Sequence, residues 1–356
     1  MRPFRLFRSN IRKGIVLALL LASALLLTAA EAEPVSFKNI KDALNYLKTN
    51  QPEEVTMEPG KYKPLDLLSV KNAMPEGSVL HFSTTWGNAS FTDESETVDL
   101  TQRKGGVSGE DLEAIVRLCP KVKCIDNSTH TSPSNKVMIP LVEKYPDIEF
   151  GWKVSLGKGY YVSTMATAYS SFNSAKSGMD KKLTTDKMEL FKYCPKLKAL
   201  DLGHHAIGSL DFLKYLPDLE LLIIGQNYVK DITPIGQLKH LQYAELFLNA
   251  FTDVSPLANC TELLDLNLTA TSITDLSALD NVTTLERLVV NMCKYLPQEA
   301  VDHFKELHPT CEVDYKPSHS ATNTEKPWRK HPRYKHYIWC LKHGTWIPFN
   351  EEIPAK

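Results

Sequence analysis

Few residues in this sequence have the types and spacing that catalysis or metal binding requires. The adjacent pair His204-His205 could suggest a metal site. Neighbouring residues at the end of a strand point to opposite sides, however, and no third histidine or carboxylate lies at ligand spacing. The sequence also lacks an HExxH zinc motif, a GxSxG nucleophile motif and a glycine-rich phosphate loop. We therefore predict a non-enzymatic protein with no catalytic residue, no metal and no cofactor.

Seven cysteines are the other residues with potential chemistry. Cys119, Cys194 and Cys260 precede similar strand patterns and are predicted to be buried, unpaired thiols. Cys194 and Cys260 would lie three turns apart in a stack of strands, roughly 15 Å, which is too far for a disulfide. The other four could form disulfides: Cys124, Cys293, Cys311 and Cys340. Among these we favour a bond between Cys293 and Cys311, and no cysteine pair has the spacing of a zinc site.

The composition is that of a globular protein, with 356 residues, 43% hydrophobic and 23% charged. It excludes a disordered, collagen-like or multi-span membrane protein. Basic residues near the start precede an apolar run at 15–30, which ends in Ala30-Glu31-Ala32. This pattern predicts a secretory signal peptide at residues 1–32, with an uncleaved anchor as the alternative. We therefore expect a secreted or cell-surface protein with no second anchor.

The charge of the chain argues against one class of partner. Without residues 1–32 the sequence has 36 basic and 41 acidic residues. A protein with this balance is not suited to bind nucleic acid along its whole surface, because the phosphate backbone would repel it. No nucleic-acid partner is therefore expected.

A 22-residue repeat begins at Leu197. The first position of every unit is a leucine: Leu197, Leu219, Leu241, Leu263 and Leu285. Within the units, apolar residues recur at positions 1, 4, 6, 11, 14, 17 and 20. The opening L-x-x-L-x-L predicts a short strand whose alternate side chains point inward, and the other apolar positions predict a return path over the same core. Stacked units therefore predict a solenoid with a parallel sheet on one side.

The units resemble leucine-rich repeats, specifically the 22-residue bacterial kind of internalin-like proteins. The resemblance rests on Asp231-Ile-Thr-Pro-Ile235 and Asp253-Val-Ser-Pro-Leu257 in the return path, and on Asn227 and Asn249 at the family's asparagine position. Three other units carry a different residue at that position: His205, Thr271 and Cys293. The resemblance implies an α/β solenoid, a leucine-rich-repeat horseshoe with short parallel strands on its concave face. It also implies a secreted bacterial protein that binds other proteins.

The regular repeats at 197–296 lie between less regular regions. Residues 33–196 are interpreted as irregular, longer, helix-containing repeats that extend and cap the solenoid on its N-terminal side, since Cys119-Pro-Lys-Val-Lys-Cys-Ile-Asp126 is similar to Cys194-Pro-Lys-Leu-Lys-Ala-Leu-Asp201. A separate α/β domain is the alternative. Residues 297–315 predict a C-terminal cap, 316–327 a polar linker and 328–356 a basic aromatic tail.

The strand positions that point away from the core predict the binding surface, because a solenoid presents them as a continuous rigid face. On neighbouring strands they form an apolar cluster with an acidic rim: Leu221, Ile223, Tyr243 and Phe247, with Asp201, Glu245 and Asp265. Such a cluster indicates either a ligand-binding site or a surface covered by another part of the chain. The tail is the favoured cover, since it is rich in Trp and Tyr and carries six Lys or Arg and no acid from Lys326 to Lys342.

These observations predict a non-enzymatic binding protein that recognises a protein or another macromolecule through the concave face of its repeats. The first alternative is a cell-envelope attachment or structural protein whose tail binds an anionic wall polymer. The second is a carbohydrate-processing enzyme in which Trp86 and Trp152 stack sugars, although both are better explained as core residues.

Overall fold

The computed structural model describes residues 35–172, 182–316 and 327–354. The predicted signal peptide at residues 1–32 lies outside these ranges, and so does the interior of the predicted linker, residues 317–326. Among the described helices, none has both the length and the apolar character that a membrane span needs.

The N-terminal region alternates strands and helices in long units. Its strands are β1 (Val35–Phe37), β2 (Glu54–Gly60), β3 (Val79–Trp86), β4 (Ala89–Thr92), β5 (Thr97–Asp99), β6 (Cys124–Asp126), β7 (Glu149–Gly151), β8 (Lys153–Gly157), β9 (Tyr160–Ser163) and β10 (Ala168–Ser170). Its helices are α1 (Ile40–Leu47), α2 (Pro64–Ala73), α3 (Gly109–Leu118) and α4 (Asn135–Lys144). β1, β2 and β3 pair in parallel, as do β5, β6 and β7, whereas β4 pairs with β3, and β9 with β8, as antiparallel hairpins.

The regular repeats contribute one strand each, in chain order, to a parallel sheet that β10 begins. These strands are β11 (Ala199–Asp201), β12 (Leu221–Ile223), β13 (Tyr243–Glu245), β14 (Asp265–Asn267) and β15 (Arg287–Val289). Adjacent strands pair with a shift of one repeat, so that Ala199 lies opposite Leu221 and Leu221 opposite Tyr243. The middle residue of each strand points inward and is fully buried: Leu200, Leu222, Ala244, Leu266 and Leu288. After β15 come α5 (Gln298–Leu307) and β16 (Glu312–Asp314), where the sequence predicts the C-terminal cap.

Asparagine side chains join successive turns of the solenoid. Asn227 accepts a hydrogen bond from the backbone N–H of Ile207 (3.0 Å) and donates to the carbonyl groups of Leu202 (2.9 Å) and Ile224 (3.0 Å). Asn249 repeats this arrangement one turn later, with Val229 as the donor. Because each amide satisfies backbone groups that would otherwise be buried without partners, it stabilises the turn that follows the strand.

The return path of each of the first four repeats is a short 3-10 helix. These helices span Asp211–Tyr215, Thr233–Gln237, Ser255–Asn259 and Ser277–Leu279, after a longer one at Thr185–Tyr193. Pro234 and Pro256 lie in the first turn of the second and third, where a missing N–H costs nothing and the fixed φ suits a helix start. The predicted DITPI and DVSPL motifs therefore mark the return path, as expected.

The cysteines confirm one prediction and contradict another. Cys119, Cys194 and Cys260 are buried and unpaired, and burial raises the pKa of the Cys260 thiol to about 12. The predicted disulfide between Cys293 and Cys311 is wrong, because both are free thiols. The Cys293 thiol points back to the preceding repeat, where it donates to the carbonyl of Leu268 (3.1 Å), and so turns away from the cap that contains Cys311.

One hydrophobic core extends through the irregular and the regular repeats, from Ala43 in α1 to Cys311 before β16. Trp86 and Trp152 belong to it and are 7% and 1% exposed. Neither ring is therefore available to stack a sugar, which removes the observation behind the carbohydrate-enzyme alternative.

Candidate functional site

The outward face of strands β11 to β15 carries the predicted site, and it is covered by residues 327–354, here called the C-terminal segment. Leu221, Tyr243 and Asp265 are fully buried, and Ile223 and Glu245 are 8% exposed. The covering residues Trp328, Tyr337, Cys340, Leu341 and Trp346 join this face in a second hydrophobic cluster. The face on the other side of the sheet belongs to the main core, so the sheet is buried on both sides.

The sequence of the C-terminal segment explains its two helices, α6 (Pro327–Lys330) and α7 (Pro332–His343). Pro332 occupies the first turn of α7, and the His331 side chain accepts the N–H of Arg333. Gly344 ends the helix in the left-handed conformation (φ 70°), which glycine adopts without strain. Within α7, the buried side chains of Tyr337, Cys340 and Leu341 share one face at helical spacing.

Glu245 is the polar centre of the covered face. Its Oε1 accepts hydrogen bonds from the hydroxyls of Tyr243 (2.6 Å) and Tyr337 (2.9 Å) and from the indole N–H of Trp328 (3.1 Å). Two of the three donors come from the C-terminal segment. A buried carboxylate is tolerated when several donors satisfy it, so this group selects side chains that bring an O–H or N–H.

The Tyr243 ring packs against the aromatic side chains of the C-terminal segment. Its centroid lies 4.8 Å from that of Tyr337, 5.4 Å from Trp328 and 6.2 Å from Phe349. Burial, together with the nearby Glu245 carboxylate, raises the pKa of Tyr243 well above its ordinary value, so this hydroxyl stays protonated and donates.

Asp265 holds a second, ionic contact. Its carboxylate accepts from Arg287 on the next strand (Nε, 2.6 Å) and from Arg333 of the C-terminal segment (Nε, 2.6 Å; Nη2, 2.9 Å). Arg333 also bonds Glu286 (2.7 Å). The Arg287 guanidinium lies 4.5 Å from the ring centroid of Trp328, which adds a cation–π contact.

The end of the C-terminal segment is fastened to the first strands of the sheet. The carbonyl of Gly344 accepts from the N–H groups of Thr167 (3.2 Å) and Ala168 (3.3 Å). The Trp346 N–H donates to Thr167 Oγ1 (2.7 Å), and its indole donates to Glu220 Oε2 (2.7 Å). The segment therefore touches the sheet from β10 to β15 with both backbone and side-chain bonds.

Comparison with known proteins gives neighbours among solved structures. No family model and no curated protein matches the sequence. Internalin C2 from Listeria monocytogenes is similar over 65% of this chain and 93% of its own, with 18% identity and a TM-score of 0.30. Internalin F from the same organism is similar over 78% of this chain and 72% of its own, with 14% identity and a TM-score of 0.36. A leucine-rich-repeat protein from Leptospira interrogans is similar over 78% of this chain and 99% of its own, with 12% identity and a TM-score of 0.30.

At these TM-scores the superpositions decide nothing about the ligand, and the assignment of the fold rests on the chain's own repeat. Each 22-residue unit has one parallel strand, and successive strands are joined by a return path over a shared core. Asn227 and Asn249 bond the backbone between strand and return path. The chain is a leucine-rich-repeat solenoid. The fold predicted from the sequence is confirmed.

Five of the seven predicted site residues of this leucine-rich-repeat protein come together beneath the C-terminal segment: Leu221, Ile223, Tyr243, Glu245 and Asp265. Asp201 instead bonds Ser170 Oγ (2.7 Å) and the N–H of Gly203, and burial raises its pKa. Of the two readings that the sequence left open for these five, the structure shows the second, a face covered by the chain's own tail. Their role as ligand-binding residues stays a prediction.

Phe247 lies at the end of the leucine-rich-repeat face, half-buried, with its ring 6.2 Å from that of His204. Its ring crosses Gly225, where a Cβ would come within 2.3 Å of Phe247 Cε1, so any larger residue at that position would displace the ring. Among the described residues, neither Phe247 nor Asp201 makes a hydrogen bond or ring contact with the C-terminal segment.

The sequence did not single out the residues of the C-terminal segment that make these contacts. Trp328, Arg333, Tyr337 and Trp346 carry them, together with Arg287 on β15. The density of Trp, Tyr and basic residues in the tail was the available signal. It indicated a docked tail but not which of its basic residues would be paired.

His205, weighed above as a metal ligand, is 5% exposed and bonded within the chain. Its Nδ1 accepts the N–H of Leu183 (3.1 Å), so its Nε2 carries the proton and donates to Ser171 Oγ (2.8 Å). His204 points to solvent. Within the described ranges no three potential ligands cluster in a way that could hold a metal ion.

Acidification should destabilise the protein through His205. Burial, followed by the nearby His204, lowers the pKa of His205 from 6.5 to about 4. Between pH 4 and pH 6.5, His205 is therefore protonated in the unfolded chain and neutral in the folded protein. The stabilising effect is fully present above pH 6.5 and is lost as the pH falls towards 4, amounting to about 3 kcal/mol. Urea unfolding of the wild type and of His205→Asn, measured at several pH values across this range, tests the prediction. If the free energy of unfolding falls equally with pH in both proteins, the prediction is contradicted.

Proposed function

We propose that this chain is a non-enzymatic, exported protein-binding protein whose sheet face recognises a helical segment of a partner. The C-terminal segment holds this face when no partner is bound. The supporting observation is the set of bonds at Glu245, because this buried carboxylate takes its hydrogen bonds from Tyr and Trp side chains on a docked helix. The face that the sequence predicted as a binding site is thus suited to bind a particular kind of ligand.

The proposed partner segment resembles the one that occupies the face. It needs an aromatic side chain with an N–H or O–H to reach Glu245, and an arginine to reach Asp265. Rigid aromatic anchors in a preformed site give most of the binding energy in such interfaces. Among the described residues, Asp201 and Phe247 make no hydrogen bond or ring contact with the C-terminal segment and would extend the surface available to a longer ligand.

The C-terminal segment competes with any partner because both bind the same sheet face, and its attachment to the same chain favours the segment. Eleven residues, 316–326, separate it from the end of the cap in the sequence. A short tether gives an effective concentration on the order of millimolar, so a free segment of equal strength would bind the intact protein poorly. Release of the C-terminal segment is therefore the step that admits a partner.

A peptide with the sequence of residues 326–350 tests this function. In Trp328→Ala/Tyr337→Ala the C-terminal segment is weakened, and we expect this variant to bind the labelled peptide at least tenfold more tightly than the wild type. Adding Glu245→Ala should abolish that gain, because the remaining donors lose their acceptor.

The matched control is the same peptide with alanine in place of both aromatic residues, which should bind neither protein. Equal peptide binding by the wild type and the double variant, measured by fluorescence anisotropy, would mean that the face does not accept a segment from outside. Binding that persists in Glu245→Ala would place the contact elsewhere.

Export rests on the sequence pattern of residues 1–32 and is part of the proposal. The alternative is attachment through an anionic wall polymer. Arg333 of the tail is already paired with Asp265 and Glu286, so the other exposed cations of the tail would have to hold such a polymer. The apolar side of α7 is likewise occupied by the sheet.

A further inference from the structure

The side of α7 that faces away from the sheet has a distinct composition. Lys335, Ile338, Lys342 and His343 lie on this side, and Trp339 lies at its border, half-buried against the covered cluster. Neighbours along it are three or four residues apart (335, 338 and 342; 339 and 343), and the five residues are called here the outer stripe. Ile338 is 45% exposed, both lysines are exposed and Trp339 is half-buried. The Trp339 and His343 rings stack, with centroids 4.1 Å apart. The outer stripe therefore combines positive charge with exposed apolar and aromatic surface.

The positive charge of this surface is not neutralised within the described residues. Lys335 and Lys342 make no ion pair there, and neither do Arg329 and Lys330 at the end of α6. Arg333, on the other side of α7, is paired twice. The sequence has no acidic residue from 326 to 350. Four cations of the C-terminal segment are thus exposed to solvent without an acidic partner among the described residues.

We propose that the outer stripe is a contact site for an anionic phospholipid surface. Trp and apolar side chains favour the boundary between headgroups and acyl chains, while Lys and Arg beside them contact phosphate groups. Docking on the sheet fixes α7 before it meets the lipid, so little ordering cost remains. This inference depends on the docked segment and not on the proposed partner.

The exposed Ile338 favours a lipid surface over a soluble polyanion. A phosphate polymer would be held by the lysines and arginines alone, and an isoleucine would add nothing to that contact. At a bilayer the same side chain leaves water when it enters the interface. The sheet face, by contrast, has its apolar side chains covered, so the lipid contact uses the opposite side of the segment.

Vesicle co-sedimentation of the full chain tests the proposal. We expect binding to vesicles that contain phosphatidylglycerol, weaker binding at high salt and none to phosphatidylcholine alone. Lys335→Gln/Lys342→Gln should reduce the partition coefficient by at least tenfold, since each charge near an anionic surface contributes roughly fivefold. Ile338→Ser should reduce it severalfold.

The matched control is Lys230→Gln/Lys305→Gln, which removes two exposed lysines from other parts of the solenoid and should bind like the wild type. Limited proteolysis of each variant shows whether the C-terminal segment is still docked. The proposal fails if both double variants bind alike, or if neutral vesicles bind as well as anionic ones. It also fails if soluble polyphosphate binds equally well and Ile338→Ser changes nothing, because the ligand would then be a polyanion.

Discussion

Replacement of Asp265 by alanine should lower the free energy of unfolding by about 3–5 kcal/mol and release the C-terminal segment. Asp265 is fully buried, and its partners Arg287 and Arg333 have side chains that are 6% and 15% exposed. Removing one partner of a buried ion pair leaves the other charge without compensation, which costs far more than the loss of a surface pair. Arg287 would keep only the carbonyl and the ring of Trp328.

Glu286→Gln is the matched control for this prediction. Glu286 binds the same guanidinium of Arg333, but its side chain is 55% exposed, so its replacement should cost less than about 1 kcal/mol. Urea denaturation gives both values, and trypsin cleavage near Arg333 reports release of the segment. Equal effects of the two substitutions would mean that Asp265 is not covered.

Truncation of Tyr243 to alanine should have an effect of similar size, about 3–5 kcal/mol. The side chain is fully buried between the sheet and three aromatic rings of the C-terminal segment. The loss also removes one of the hydrogen bonds to Glu245. We expect a lower melting temperature and faster proteolysis of residues 327–354.

Tyr243→Phe separates packing from hydrogen bonding, because it keeps the ring and loses only the hydroxyl. It should cost about 1 kcal/mol, the typical value of one hydrogen bond. An open binding surface would behave differently, since truncation of an exposed side chain leaves stability almost unchanged. An unchanged melting temperature for Tyr243→Ala would therefore refute the docked arrangement.

The repeats could be predicted from the sequence almost residue by residue. Each inward position must be apolar in every turn, and Leu200, Leu222 and Leu266 therefore recur with the period of the structure. The strands begin two residues after Leu197, Leu219 and the equivalent leucines, as the motif predicts. Because every turn must bury the same positions, the same residue types recur in every repeat, and this part of the fold could be predicted from the sequence.

The cover of the sheet face was less accessible to sequence reasoning. Apolar residues such as Leu221, Ile223 and Tyr243 are expected at these positions both when a partner covers the face and when the chain itself covers it. The sequence pattern therefore does not distinguish the two cases. The choice of Arg333 over Arg329 as the partner of Asp265 depends on the helical phase of α7, which starts at Pro332. The direction of the Cys293 thiol depends on the orientation of its turn, which the sequence does not specify, so the disulfide predicted between Cys293 and Cys311 was wrong.

The bonds at the two ends of the C-terminal segment also bear on how the solenoid unfolds. In a linear repeat array, each turn touches only its neighbours, and the outermost turns can fray while the middle stays folded. Here the C-terminal segment bonds both Ala168 at β10 and Arg287 at β15, which lie five strands apart. Fraying of either end therefore also breaks its contacts with the C-terminal segment. The turns between β10 and β15 should therefore unfold as a single cooperative unit, because the C-terminal segment links turns that would otherwise contact only their neighbours.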